Sequence, residues 1–448
     1  MPSLKNDAIK GTIWTFFGYG ASQVLRLANN LILTRLLAPE LFGLMRLINT
    51  LVIGLNLFSD IGIAPSIVQN RRGDEPNFFN TAWTLQVIRG SGLWLISLLI
   101  AWPIAKAYEN PQLIWLVPIV SVSTILAGFN STSVATLSRR INIGKLTVFQ
   151  FGAQLASLIV MIIWALFSPT IWALVVGSLV ASTVKLIWSH RLIPEVKNRL
   201  DWDPEAAREL FSFGRWIFFS TALTFLSSQL DSFMLPKLTS FELLGIYTVA
   251  FTFADIPRMV IGNLSNKVLF PIISRRADLP RPILRNKILA KRWILLAGMV
   301  VILTILAGFG DIIVLKLYDE RYAQASWMLP LLALGVWPAV LLRTNSPALL
   351  ALGKSNYAAF GNLFRFLFMA VGLPLGYYLG GIFGVVAIVT LDDIPSYLVL
   401  NYGLEREGLS GLKQDLQATL LLIGSIGSIL MGRYLLGLGI PTFSYFFP

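Results

Sequence analysis

The sequence predicts an all-α integral membrane protein: two parallel-repeat lobes of six helices around a central cavity, plus an additional C-terminal helix. Hydrophobic residues make up 55% of the 448 residues and charged residues only 13%, about half the charged share of a soluble domain. Apolar runs of spanning length recur along the whole chain. Landmarks of the first half return in the second. Lipid is therefore the solvent that this chain requires.

Composition also excludes several classes of protein. The chain has no cysteine and a single histidine, His190, which leaves no thiolate or histidine cluster for a metal. No Ser-His-Asp set is evident, so we expect neither an enzyme nor a cofactor beyond a coupling H⁺ or Na⁺. The net charge is +13, but the basic residues lie in short loops between apolar runs. Nucleic-acid binding is therefore not expected.

Thirteen apolar runs have the length of a membrane span. Two pairs of neighbouring runs count as separate helices only if Ser168-Pro169 and Gly380-Gly381 break the helix between them. The expected total is therefore about 12–14 helices. The runs are 11–35, 41–62, 78–105, 113–137, 146–167, 170–189, 211–232, 241–266, 290–315, 325–350, 357–378, 381–403 and 415–435.

The loop charges predict the orientation in a bacterial inner membrane. With the N-terminus in the cytoplasm, most of the 36 lysines and arginines lie in cytoplasmic loops. This is the bias that fixes the topology of inner-membrane proteins. The opposite loops hold only Arg35, Lys106, Lys237, Lys316, Arg321 and Arg433.

An internal repeat predicts the two lobes. Gly11 leads to Glu40-Leu41-Phe42-Gly43, and Gly214 leads to Glu242-Leu243-Leu244-Gly245; an arginine pair follows each copy after one more helix. Six helices separate the copies, so both lobes have the same orientation, and substrate sites in such transporters lie between the repeats. The expected divisions are an N-terminal lobe at 1–190, a cytoplasmic linker at 191–210, a C-terminal lobe at 211–405, and an extra helix and tail at 406–448.

Charged residues inside the predicted spans are the main functional signal. An ionised side chain at the bilayer centre costs about 2.5–3.5 kcal/mol on insertion scales, yet several spans carry one. The arginines are Arg26, Arg46, Arg89, Arg258, Arg343 and Arg365, and the acids are Asp231, Asp255, Asp392 and Asp393.

Four of these arginines have a side-chain amide three residues away, on the same helix face. Such faces predict a wet, basic cavity, and arginine suits phosphate because its planar fork donates two parallel hydrogen bonds. The other interpretation is structural, with each arginine paired to an acid or a carbonyl. The pairs are Gln23–Arg26, Arg46–Asn49, Gln86–Arg89 and Asn362–Arg365.

Several stretches in order resemble one family, the polysaccharide-biosynthesis flippases of the multidrug/oligosaccharidyl-lipid/polysaccharide (MOP) exporter superfamily. The resemblance is greatest to the colanic-acid and O-antigen exporter branch. One departure is the odd helix number, since this family commonly has an even one. The stretches include Thr34-Arg35-Leu36-Leu37-Ala38-Pro39-Glu40-Leu41-Phe42-Gly43, Phe58-Ser59-Asp60-Ile61-Gly62-Ile63, Gln229-Leu230-Asp231, Val268-Leu269-Phe270-Pro271 and Asn362-Leu363-Phe364-Arg365.

The resemblance implies a cargo and a mechanism. The cargo is an undecaprenyl-pyrophosphate-linked oligosaccharide, moved from the cytoplasmic to the periplasmic leaflet for O-antigen, capsule or exopolysaccharide assembly. The mechanism is ion-coupled alternating access in the lipid bilayer, with a polysaccharide polymerase and a chain-length regulator as further partners. The expected pyrophosphate ligands are Arg26, Arg89, Arg343 and Arg365; Gln23, Asn30 and Asn362 would bind sugar hydroxyls or hold the arginines, and Asp231 and Asp255 are the ion-coupling candidates.

Three alternatives remain open. A cation-drug antiporter of the same superfamily needs an acidic cavity, against which the surplus of intramembrane arginine argues. A peptidoglycan-precursor flippase shares the cationic cavity and is barely distinguished by sequence. A polymerase needs a large extracytoplasmic loop, which the spacing of the apolar runs leaves no room for, and a scaffold has no need of buried arginines.

Overall fold

The computed structural model describes residues 2–60, 62–140, 142–276, 278–439 and 441, with the side chains of 2–17, 19 and 211–221 excepted. Across these residues the chain is helical, without a strand, as the sequence predicts. The helices are α1 (Pro2–Leu36), α2 (Pro39–Phe58), α3 (Ile63–Gln69), α4 (Pro76–Ala107), α5 (Leu113–Gly128), α6 (Ser133–Arg139), α7 (Ile143–Phe167), α8 (Ile171–Ser189), α9 (Pro204–Leu238), α10 (Phe241–Leu264), α11 (Phe270–Ser274), α12 (Arg281–Leu317), α13 (Ala325–Ala351), α14 (Asn356–Thr390), α15 (Ile394–Arg406) and α16 (Leu412–Leu435).

The chain forms two compact units, unit 1 at Met1–Ala222 and unit 2 at Leu223–Pro448, and α9 belongs to both. Within the described residues, nine helical stretches are long and apolar enough to cross a membrane, and the bent pair of α5 and α6 adds a tenth. Eleven of the thirteen predicted spans fall on one helix each, whereas 113–137 is divided between α5 and α6 and 381–403 between α14 and α15. The domain boundaries expected from the sequence stay a prediction.

Both breaks on which the predicted helix number depends are present. Helix α7 ends at Phe167 and α8 begins at Ile171. Within α14, Gly381 has a φ of 56° and a ψ of −138°, so the helix reverses there. A Cβ at Gly376 would lie 2.7 Å from the carbonyl oxygen of Gly384. The two arms of α14 therefore pack backbone to backbone, which only glycine allows.

Each unit contains a short helix whose apolar residues pack into the hydrophobic core of that unit. In unit 1, Ile63 and Ile67 of α3 pack with Phe78 of α4 and with Ala206 and Leu210 of α9. In unit 2, α11 follows a π-helical turn at Ser265–Leu269. Its Ile273 packs with buried residues of α12, α13 and α15. In both units the arginine pair of the repeat follows this short helix.

The polar segment 191–203 is packed against the start of α4. Thr84 Oγ1 donates to the Asp201 carbonyl at 2.8 Å. Asn80 Oδ1 accepts from the Arg199 amide at 3.2 Å, and Thr81 Oγ1 accepts from the Asp203 amide at 2.9 Å. Side chains of α4 thus satisfy backbone groups that no regular structure pairs, and the segment is held on unit 1.

Arg72 fixes the beginning of α9 to unit 1. Its guanidinium lies 2.8 Å from Asp203, 3.1 Å from Glu209, 3.3 Å from Glu205 and 3.0 Å from Glu75. Hydrogen bonds from Arg72 hold the pKa of Asp203 below its usual value. Hydrogen bonds to Glu75, Asp203 and Glu209, Glu75 first, raise the pKa of Arg72. We call this group the Arg72 cluster.

Candidate functional site

Unit 2 buries a cluster of aspartates and arginines where α14 gives way to α15. Asp392 and Asp393 lie in the three-residue turn between these helices and are 3% and 2% exposed. The turn approaches α13 closely, because a Cβ at Gly335 would lie only 2.6 Å from the Cα of Thr390. A helix break beside a glycine therefore places two adjacent carboxylates inside the bundle.

Two arginines neutralise these carboxylates. Arg365 of α14 forms an ion pair and a hydrogen bond with Asp392, and its Nη1 lies 3.4 Å from Asp393. Arg258 of α10 lies 3.0 Å from Asp393 and 3.8 Å from Asp392, and 3.5 Å from Asp255 one turn away. Removing either arginine would leave a buried carboxylate without its partner, which is strongly unfavourable. These five residues are called the buried ion cluster.

Arg343 of α13 lies beside the buried ion cluster without joining it. Its side chain is exposed, although α13 as a whole is the most buried of the spans. It makes no ion pair with any residue in the described part of the chain. Its Nη1 passes Gly262 of α10 so closely that a Cβ there would lie 2.9 Å away. Inside an apolar helix, this guanidinium retains its capacity to bind an anion.

The other predicted residues of unit 2 have partners. Asn362 donates to Thr224 Oγ1 at 3.0 Å. Asp231 is buried, accepts from Tyr247 Oη at 2.7 Å and accepts from the Ser232 amide at 2.7 Å. The structure thus brings Arg365 and Asp255 into one cluster and holds Asp231 in a separate hydrogen-bonded group.

In unit 1, Gln86 and Arg89 of α4 form hydrogen bonds with the C-terminal ends of two other helices, α5 and α2. Gln86 Nε2 donates to the carbonyls of Ala127 and Gly128 at the end of α5. Arg89 Nη2 donates to the Asn56 carbonyl at 2.5 Å, and its Nε donates to Ser59 Oγ at 2.8 Å. A cation is stabilised at a helix C-terminus by the partial negative charge there. Their shared face serves to secure α2 and α5 against α4.

Three of the predicted ligand residues, Gln23, Arg26 and Asn30, lie on α1. Arg26 is exposed, and Gln23 and Asn30 are half-buried. All three take part in polar interactions within the chain.

Two buried ion pairs were missed by the sequence analysis, and both join α16 to α12. Arg292, 0% exposed, pairs with Asp415, and Arg433 pairs with Asp311 at 2.7 Å. From the loop charges, Arg433 was expected in a loop on the side opposite the cytoplasm. Asp311 lies inside an apolar run, and that intramembrane acid was the one available signal for a buried partner.

Comparison with known proteins identifies the family. A family model described as polysaccharide biosynthesis protein matches residues 32–326, and the chain belongs to this family. It is 21% identical to the teichuronic acid biosynthesis protein TuaB of Bacillus subtilis, over 96% of this chain and 90% of that protein. It is 22% identical to the lipopolysaccharide biosynthesis protein WzxC of Escherichia coli, over 89% of this chain and 82% of that protein.

Solved structures give the same fold. The lipid II flippase MurJ, in an inward closed conformation, superposes with a TM-score of 0.71 at 15% identity, covering 93% of this chain and 92% of that chain. The Vibrio cholerae MATE transporter VcmN gives 0.61 at 17% identity, covering 91% and 98%. The predicted membership of the polysaccharide-biosynthesis family is confirmed, and the fold is shared with solved transporter structures. The chain is a multi-pass membrane protein with a transporter fold.

Proposed function

We propose that this protein is a flippase that carries an undecaprenyl-pyrophosphate-linked oligosaccharide from the cytoplasmic to the periplasmic leaflet of a bacterial inner membrane, with its N-terminus in the cytoplasm. The proposal rests on membership of the polysaccharide biosynthesis family. It is supported by one observation above others. Arg343 is exposed within the apolar helix α13 and pairs with no acid that the structure describes.

The predicted pyrophosphate ligands fall into two groups. Arg343 and Arg26 are exposed, and both are proposed to bind phosphate oxygens through charge-assisted hydrogen bonds. Arg89 and Arg365 are already engaged by carbonyls and carboxylates. Arg89 would contribute positive potential, whereas Arg365, whose charge is cancelled by Asp392, would hold α14 against the turn that follows it.

Sugar binding and ion coupling are assigned to polar side chains near these arginines. Gln23, Asn30 and Asn362 are proposed to meet sugar hydroxyls. Asp255 is the better placed of the two coupling candidates, because its carboxylate is 26% exposed and pairs with Arg258 within the buried ion cluster. Asp231 is satisfied by Tyr247 and Ser232, so it would exchange an ion only if those hydrogen bonds open.

The proposal is tested by following the lipid-linked oligosaccharide in cells depleted of the protein. The expected result is accumulation on the cytoplasmic face together with loss of the surface polysaccharide. Unchanged polysaccharide with a normal lipid-linked pool would contradict it. Accumulation of lipid-linked peptidoglycan precursor instead would indicate that alternative cargo, and loss of organic-cation efflux would indicate an antiporter.

A further inference from the structure

A cavity of about 480 Å³ opens in unit 1 between the beginning of α7 and the end of α8. This volume lies in the usual range of small-molecule sites. Trp188 forms one wall and packs edge-on against Phe149, with ring centroids 6.0 Å apart. The cavity is lined by Gly144, Lys145, Val148, Trp188, Arg191 and Leu192.

Two cations at the mouth of this cavity are available for a ligand. Lys145 and Arg191 are both exposed, and neither forms an ion pair with a residue in the described ranges. Neighbouring cations do find acids, since Arg139 lies 2.9 Å from Asp74 and Arg140 lies 3.9 Å from it. The cavity therefore carries an uncompensated positive charge that favours an anionic ligand.

Val148 of the cavity wall begins a stripe of exposed apolar residues on α7. Val148, Leu155 and Ile159 are 46%, 39% and 49% exposed, and their spacing of seven and four residues places them on one helix face. Ile187 of α8 is also exposed, at 53%. Tryptophan near the end of a span is typical of the membrane–water interface. The site thus has a basic upper part and a lower part suited to hydrocarbon.

From this arrangement we infer that the cavity binds one anionic phospholipid on the side of the membrane predicted to be cytoplasmic. Lys145 and Arg191 bind the phosphate of the headgroup, Trp188 lies at the level of the glycerol, and an acyl chain follows Val148, Leu155 and Ile159. Basic pockets between membrane helices bind such headgroups elsewhere. This site is separate from the intramembrane arginines assigned to cargo.

The test measures lipid retained by the full-length protein in detergent, using native mass spectrometry with phosphatidylglycerol or phosphatidylcholine added. The double variant K145Q/R191Q is expected to bind phosphatidylglycerol about tenfold more weakly than the parent protein, because two phosphate-binding charges are lost. The control R275Q/R276Q removes the same charge from exposed residues of unit 2 and is expected to bind it as the parent does. V148W, which keeps both cations but fills the cavity, is expected to lose the lipid.

Several outcomes would overturn the inference. Equal retention of phosphatidylglycerol by the parent and K145Q/R191Q would do so, as would equal retention of the two lipids by the parent. Displacement of the lipid by millimolar inorganic phosphate would indicate a free anion as the ligand. Unaltered elution volume on gel filtration shows that each variant is folded, which the exposure of both cations leads us to expect.

Discussion

At the scale of single residues, the intramembrane arginines differ in what surrounds the guanidinium. Arg365 and Arg258 face aspartates, so their charge is cancelled within the buried ion cluster. Arg89 faces a carbonyl and a hydroxyl. Unit 2 has three of the predicted intramembrane arginines, Arg258, Arg343 and Arg365. Of these, only Arg343 has an exposed side chain that pairs with no acid among the described residues. The same residue type therefore performs three different tasks, and only the last leaves a binding site for an anion.

Arg343→Gln is expected to reduce polysaccharide export by about tenfold or more, while the protein accumulates normally. The reason is that one charge-assisted hydrogen bond to the cargo contributes about 1.5–3 kcal/mol, and no internal ion pair is lost. Export is measured as surface polysaccharide in cells that depend on this protein. Arg343→Lys, which keeps the charge but not the fork, is expected to restore part of the activity. Full export by the Gln variant would show that Arg343 does not bind cargo.

Arg365→Gln is expected to act on stability instead. It leaves Asp392 buried without its nearest partner, which costs about 3–5 kcal/mol for a buried pair. The readout is the midpoint of thermal unfolding in detergent. Adding Asp392→Asn to the same chain is expected to recover most of the lost stability, since both charges of the Arg365–Asp392 pair are then removed. An unfolding temperature equal to that of the parent in the single variant would mean that the pair is not formed in the membrane protein.

How far the sequence predicts these roles depends on the distance between partners. The spacing of three residues correctly places Gln86 and Arg89 together on α4, but the carbonyls they bind belong to α5 and α2. Arg292 and Asp415 are more than a hundred residues apart, so no local pattern links them. Charges inside spans are visible in the sequence, whereas the choice between cargo and internal partner requires the tertiary structure.

At the scale of elements, close helix contacts position the buried ion cluster. Gly335→Ala would place a methyl group 2.6 Å from the Cα and 2.8 Å from the carbonyl oxygen of Thr390. Backbone atoms cannot move away by changing rotamer as a side chain can, so α13 and the end of α14 must separate. The expected loss in the free energy of unfolding is about 1–3 kcal/mol. The measurement is again thermal unfolding in detergent. Gly298→Ala in α12 is the matched control, because no atom lies within 4 Å of its Cβ; comparable loss in both variants would contradict the argument.

Helix α16 is also secured by its neighbours, although the sequence predicts it as an extra helix outside the two lobes. It runs beside α12 with contacts in one register: Arg292 with Asp415, Thr304 with Ser425 at 2.8 Å, and Asp311 with Arg433. The residue numbers of the contacting pairs differ by a nearly constant amount, as expected for two helices that run in the same direction. The apolar run predicted the helix itself, but its attachment depends on polar residues too few to form a detectable pattern.

The Arg72 cluster predicts a pH dependence at the start of α9. The pKa of Asp203 is lowered in the folded protein, so its contribution to stability is present above the ordinary value of 3.8 and is lost as the pH falls through the folded value. We expect Arg72→Gln to lower the unfolding temperature at pH 7, by an amount that shrinks at 1 M salt. Once the pH has fallen through the folded pKa of Asp203, the difference from the parent should disappear. A difference that persists there would assign the effect to packing of the Arg72 side chain, not to its charge.

At the scale of the whole molecule, the odd number of predicted spans has a consequence for topology. Thirteen spans put the two ends of the chain on opposite sides of the membrane, while the family commonly has an even number. The structure gives α16 the length and apolar character of a span, and its ion pairs hold it beside α12. The C-terminal end of this chain is therefore expected on the periplasmic side.

Cysteine labelling tests this topology directly, because the natural chain has no cysteine to interfere. Single variants at Gln112, Arg276 and Leu438 place a thiol after α4, α11 and α16, at exposed positions. In spheroplasts, a membrane-impermeant maleimide is expected to label Gln112→Cys and Leu438→Cys, and to label Arg276→Cys only after permeabilisation. Protection of Leu438→Cys alone would mean that α16 does not cross the bilayer. The reverse pattern at Gln112 and Arg276 would invert the orientation, and with it the direction of transport proposed for the cargo.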